Sequence, residues 1–158
     1  MTIAGLPLHP LIVHVAVVLV PLAAVAALAY ALVPRWRWVL RHPTLVTGLA
    51  AAVAVQMAAM TGDSLKASLG AAGHLIAVHE MWAGRLQAAT WVLASAVAGA
   101  WWLLPHGSPL PAGDRRSPMS TLVRPITVVL PLLAVTVVVL VVLTGDAGAR
   151  AVWAAQGR

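Results

Sequence analysis

The chain has 158 residues, 61% hydrophobic and only 9% charged, with a mean hydropathy of +0.94 and a formal charge of +6. Soluble domains carry about 25% charged residues, so this composition excludes a soluble globule and reads as a single membrane domain over 1–158. Cysteine is absent, which excludes disulfides, thiolate catalysis and cysteine-ligated metals; the arginines flank apolar stretches, so the positive charge reads as membrane orientation and no nucleic-acid partner is expected.

The first predicted span is 11–33, apolar except for His14 and Tyr30, with Pro21 inside it and Pro34 ending it. At about 1.5 Å per residue it crosses a hydrocarbon core of about 30 Å. No Lys or Arg precedes Arg35, so the stretch lacks the basic start of a signal peptide and is expected to remain a helix. Arg35-Trp36-Arg37-Trp38 and Arg41-His42-Pro43 read as a short basic loop with interfacial tryptophans. The second span is 44–61, terminated by Thr61-Gly62-Asp63, and a loop rich in Gly, Ala and Ser runs on to Gly73. The third helix is 75–104, its early turns rising through the headgroup layer and Trp101-Trp102 marking the far interface. Pro105 to Pro118 reads as a poorly ordered loop. The fourth span is 122–143 with Pro131 inside, followed by a short polar tail from Thr144 to Arg158.

Two patterns recur. His9-Pro-Leu-Ile-Val-His14 opens the first helix and His74-Leu-Ile-Ala-Val-His79 the third; Thr61-Gly62-Asp63 and Thr144-Gly145-Asp146 close the second and fourth. The expected fold is therefore an all-α integral membrane four-helix bundle, a duplicated helical hairpin with both termini on one side. Arg35, Arg37, Arg41, Arg115, Arg116 and Arg124 outnumber the basic residues of the opposite loops, which places the arginine loops in the cytoplasm and the termini outside. Arginine far exceeds lysine, and with so much Ala and Val this points to a GC-rich bacterial genome and the bacterial inner membrane.

Alternating hairpins bring His9, His14, His74, His79, Asp63 and Asp146 to one end of the bundle. Residues at i and i+5 differ by about 140° around a helix, so one histidine of each pair faces the core and the other caps or meets water. The deeper pair, His14 and His79, are the candidate axial ligands of a haem b. Asp63 and Asp146 are candidates to orient those rings, and Arg85 to neutralise a propionate. The same six His and Asp residues suit a non-haem metal ion. The alternative is that no cofactor binds: the histidines are interfacial caps and the Thr-Gly-Asp strings simply end helices. Two functions follow, a haem- or metal-binding redox protein, or a non-catalytic accessory or scaffold subunit. Small residues in the spans suit close helix approach, leaving a respiratory or other membrane complex and a homodimer open as partners beside the lipid bilayer. No nucleophile elbow, metalloprotease motif or phosphate loop occurs.

The opening Gly5-Leu6-Pro7-Leu8-His9-Pro10-Leu11-Ile12-Val13-His14, the His79 helix and the ending Gly145 to Trp153 resemble a family of bacterial predicted membrane proteins known as domain of unknown function 2231. The resemblance covers nearly the whole chain. It implies a four-helix membrane domain and supplies no activity, so roles for the residues rest on their chemistry.

Overall fold

A computed structural model of the chain describes residues 2–3, 6–69, 73–104 and 120–156. The loop read over Pro105 to Pro118 lies outside the described residues. Four helices make the fold: α1 (Leu8–Leu32), α2 (Arg37–Leu69), α3 (His74–Leu103) and α4 (Ser120–Gln156). A short 3-10 turn, Pro34–Trp36, joins α1 to α2, and a minimal antiparallel ladder pairing Thr2 with Pro7 and Ile3 with Leu6 precedes α1. All four helices are long and apolar enough to cross a membrane.

The helices run past the predicted spans. Arg41-His42-Pro43 lies within the early turns of α2, not in a loop. Thr61-Gly62-Asp63 and Thr144-Gly145-Asp146 do not end their helices; α2 continues to Leu69 and α4 to Gln156. An interior glycine costs a helix only about 1 kcal/mol relative to alanine, which the turns beyond it and their packing outweigh. Local bonds support the continuation. Thr61 Oγ1 donates to the Met57 carbonyl at 2.8 Å and Thr144 Oγ1 to the Leu140 carbonyl at 2.7 Å, while Arg150 pairs with Asp146 one turn earlier at 2.9 Å.

Each helix packs mainly on two others: α1 on α2 and α4, and α3 on α4 and α2, so α1 and α3 are diagonal. The interhelical bonds show that successive helices are antiparallel. Thr44 near the start of α2 reaches the Ala26 carbonyl late in α1, and His9 early in α1 reaches Ala58 late in α2. Lys66 late in α2 pairs with Glu80 early in α3 at 2.6 Å, and His79 early in α3 reaches Thr144 late in α4. One end of the bundle thus gathers the start of α1, the late turns of α2, the start of α3 and the late turns of α4.

The core is built from small residues. Ala23, Ala24, Ala27, Ala51, Ala52, Ala94 and Ala134 are each no more than 2% exposed. Without water there is no hydrophobic drive between membrane helices, so close backbone approach across small side chains holds them together. Val18, Val25, Leu132 and Val142 point outward instead, as helices that are apolar all round do in hydrocarbon. At the opposite end Arg37 turns inward, only 5% exposed. Its Nε donates to the Tyr30 carbonyl at 3.1 Å and a terminal nitrogen to the Ala31 carbonyl at 2.9 Å, satisfying the last turn of α1.

Burial recurs with one spacing in each hairpin. The buried residues Ala16, Val20, Ala23, Ala24, Ala27 and Tyr30 of α1 are spaced like Leu86, Thr90, Leu93, Ala94, Val97 and Ala100 of α3. Thr44, Gly48, Ala51, Val55 and Thr61 of α2 are spaced like Leu130, Ala134, Val137, Val141 and Ala147 of α4.

Candidate functional site

The site lies where α1 and α3 begin. A helix carbonyl already accepts the amide four residues on, but its second lone pair is open if the side chain at that later position leaves room. Glycine leaves that room. His9 of α1 lies against Gly62 of α2, where a Cβ would come within 3.1 Å of the ring Cε1, and its Nδ1 donates to the Ala58 carbonyl at 3.0 Å. His79 of α3 lies against Gly148 of α4, where a Cβ would come within 3.1 Å of both Cε1 and Nδ1, and its Nδ1 donates to the Thr144 carbonyl at 3.0 Å. Both glycines stand four residues after the carbonyl that accepts. They serve close approach rather than a turn.

These bonds set the chemistry of the rings. A carbonyl only accepts, so Nδ1 carries the hydrogen in each histidine, and in the neutral ring Nε2 is left with its lone pair. His9 Nδ1 also lies 3.3 Å from Thr61 Oγ1, whose own hydrogen is directed to carbonyls of α2. Both histidines are half-buried, they come from diagonal helices, and they lie within electrostatic reach of each other. An imidazole with Nδ1 fixed on a backbone carbonyl and Nε2 available is the usual state of a metal-ligating histidine.

The other sequence candidates go elsewhere. His14 is exposed, and its Nδ1 donates to the Pro10 carbonyl of its own helix at 2.6 Å. His74 is exposed at the first residue of α3. Each i,i+5 pair does divide its two rings between inside and outside, but in α1 it is the shallower ring, His9, that turns inward. Asp63 is exposed, and Asp146, also exposed, is held by Arg150. The ring-orienting acceptors are therefore the carbonyls of Ala58 and Thr144, where the sequence suggested carboxylates. Arg85 is exposed, with its guanidinium 4.7 Å from the Trp82 ring centroid. Among the described residues no three His, Asp or Glu side chains come together as a metal-holding group.

A family model described as predicted membrane protein (DUF2231) matches residues 5–157. The chain belongs to this family. No curated protein and no solved structure matches it. In this DUF2231 chain, sequence reasoning passed over Gly148 and read Gly62 as a helix stop. The signal was available: each glycine lies on the late turns of the helix that follows a histidine-bearing one. It also missed a polar contact inside the bilayer. Gln87 Nε2 donates to Gln56 Oε1 at 2.7 Å, and Trp91 Nε1 lies 3.2 Å from the same oxygen. Gln56 and Gln87 are the two amide side chains within the apolar spans, which was the cue.

Proposed function

We propose that this chain is a small electron-transfer protein of the membrane that holds haem b between His9 and His79. The observation that carries the reading is the paired arrangement of the two rings: each Nδ1 is committed to a backbone carbonyl, which leaves two Nε2 lone pairs on diagonal helices at one mouth of the bundle. His9 and His79, carried on diagonal helices, would hold the haem between them at the mouth of the bundle. A non-haem ion fits this donor set less well, since among the described residues no third His, Asp or Glu joins the pair. When bound, haem supplies reversible one-electron exchange. The chain's own residues do the rest: Ala58 and Thr144 orient the imidazoles, Gly62 and Gly148 admit them, and Arg85 is the cation available to a propionate. His14, His74, Asp63 and Asp146 take no part as ligands.

The matched burial spacing supports reading the bundle as two copies of one hairpin, in a register that makes His9 and His79 counterparts. The arginine excess of the loops after α1 and α3 supports a bacterial inner-membrane protein with its termini and the histidine mouth outside. A second reading, an accessory subunit of a larger membrane complex, is favoured by one observation. Trp91, bonded to Gln56, stays exposed on the lipid-facing side of the α2–α3 groove, where another helix could cover it.

The test is a spectrum of the protein purified in mild detergent from haem-supplied cells, oxidised and dithionite-reduced. A Soret band that shifts on reduction is expected. His9→Ala and His79→Ala should each lose haem, whereas His14→Ala should keep it. No Soret band in folded wild-type protein would overturn the haem reading; metal found by elemental analysis in that case would direct attention to an ion at the same two histidines.

A further inference from the structure

The opposite end of the bundle holds a second group of donors, arranged around one indole. Trp101, in the last turn of α3, has the Arg41 guanidinium 3.9 Å from its ring centroid. The His42 ring meets it edge-on at 6.0 Å and 69°, and Trp102 does so at 5.2 Å and 77°. Arg41 and His42 belong to the early turns of α2, so the group bridges the α2–α3 groove. The Trp101 Nε1–H is buried and has no hydrogen-bond partner among the described residues. A buried donor without an acceptor is costly to leave unmade, and a small rotation of the indole toward the groove would let it meet one.

The acceptor that fits is anionic. A guanidinium stacked on an aromatic face presents its N–H groups at the edge, the geometry that recognises phosphate oxygens. Among the described residues the acidic side chains Asp63, Glu80 and Asp146 lie at the far end of the molecule, whereas Arg35, Arg37, Arg41 and Arg124 lie at this one. The end is also ringed by tryptophans that mark headgroup depth, with Trp36 48%, Trp38 53% and Trp102 78% exposed. An anion presented here is therefore one carried on acyl chains.

We infer that Arg41, His42 and Trp101 form a binding site for the phosphate of an anionic phospholipid, seated at the α2–α3 groove. The indole N–H and the guanidinium supply two donors and the His42 ring a third, while the lipid's chains follow the apolar outer faces of the two helices. This site is independent of whether haem binds at the other end.

Native mass spectrometry of delipidated protein tests it, with phosphatidylglycerol titrated against phosphatidylcholine and inorganic phosphate offered as competitor. Wild type should bind phosphatidylglycerol about tenfold more tightly than phosphatidylcholine. Arg41→Gln and Trp101→Phe should each remove most of that preference. Arg124→Gln, a basic residue outside the group, should keep it, and inorganic phosphate should not compete. Trp101→Phe keeps the ring under Arg41 and decides the matter if Arg41→Gln does not fold. Absence of a headgroup preference would overturn the site. Equal loss in Arg124→Gln would reduce it to diffuse charge, and competition by phosphate would make it a site for a free anion; either result also overturns it.

Discussion

The two hairpins of this bundle bury the same positions and decorate them differently. In α1 and α3 the inward stripe falls at matching spacing, and in both hairpins a histidine lies on a glycine of the following helix. Yet Tyr30 occupies in α1 the place that Ala100 holds in α3, and the Tyr30 hydroxyl donates to the Ala100 carbonyl at 3.4 Å. Thr44 and Thr61 of α2 have Leu130 and Ala147 of α4 as their counterparts in spacing. Gln87 and Gln56 correspond to Val17 and Val142, both exposed to lipid. Packing geometry is held in common, because backbone separation depends on side-chain size at the contact. The polar groups differ, because each needs only one local partner.

Four substitutions would break or sharpen this comparison. The largest effect is expected at Arg37, which has a counterpart by spacing only in Val123 of the second hairpin. Arg37→Leu removes two charge-assisted bonds to the end of α1 and should cost about 3 kcal/mol, seen as a lower midpoint in thermal unfolding in detergent. An unchanged midpoint would mean that water satisfies those carbonyls equally well. Next, Gly62→Leu and Gly148→Leu should each push a histidine off its carbonyl and cost about 2 kcal/mol by overpacking, with similar size in the two hairpins. A cost confined to one of them would show that the two histidine contacts are not counterparts. The smallest effect is expected from Gln56→Leu, which deletes the acceptor for Gln87 and Trp91. About 1 kcal/mol is the scale of such bonds between membrane helices, read by the same unfolding measurement.

Much of the fold was legible before any coordinates. Four apolar stretches of spanning length, the internal prolines Pro21 and Pro131, and the gathering of histidines at one end follow from composition and alternation. The helix ends were misread because Thr-Gly-Asp is a stop in water, where glycine exposes backbone to solvent. In α2 that glycine, Gly62, instead gives His9 access to a carbonyl; in α4 the role falls to Gly148, three residues past the exposed Gly145. The repeated strings also misled. They align His14 with His79, whereas the structure matches His9 with His79, since the strings are offset from the packing register by five residues in α1 and α3.

The sequence by itself determined that this chain lives in a bilayer, how many times it can cross, and that imidazoles collect at one mouth. These follow from hydropathy, length and the alternation of helix direction, which need no partner to read. Which histidine of each pair turns inward was decided only in the assembled bundle. That choice depends on the rotation of α1 against α2 and of α3 against α4, and those rotations are set by where glycine lets two backbones and a ring come together.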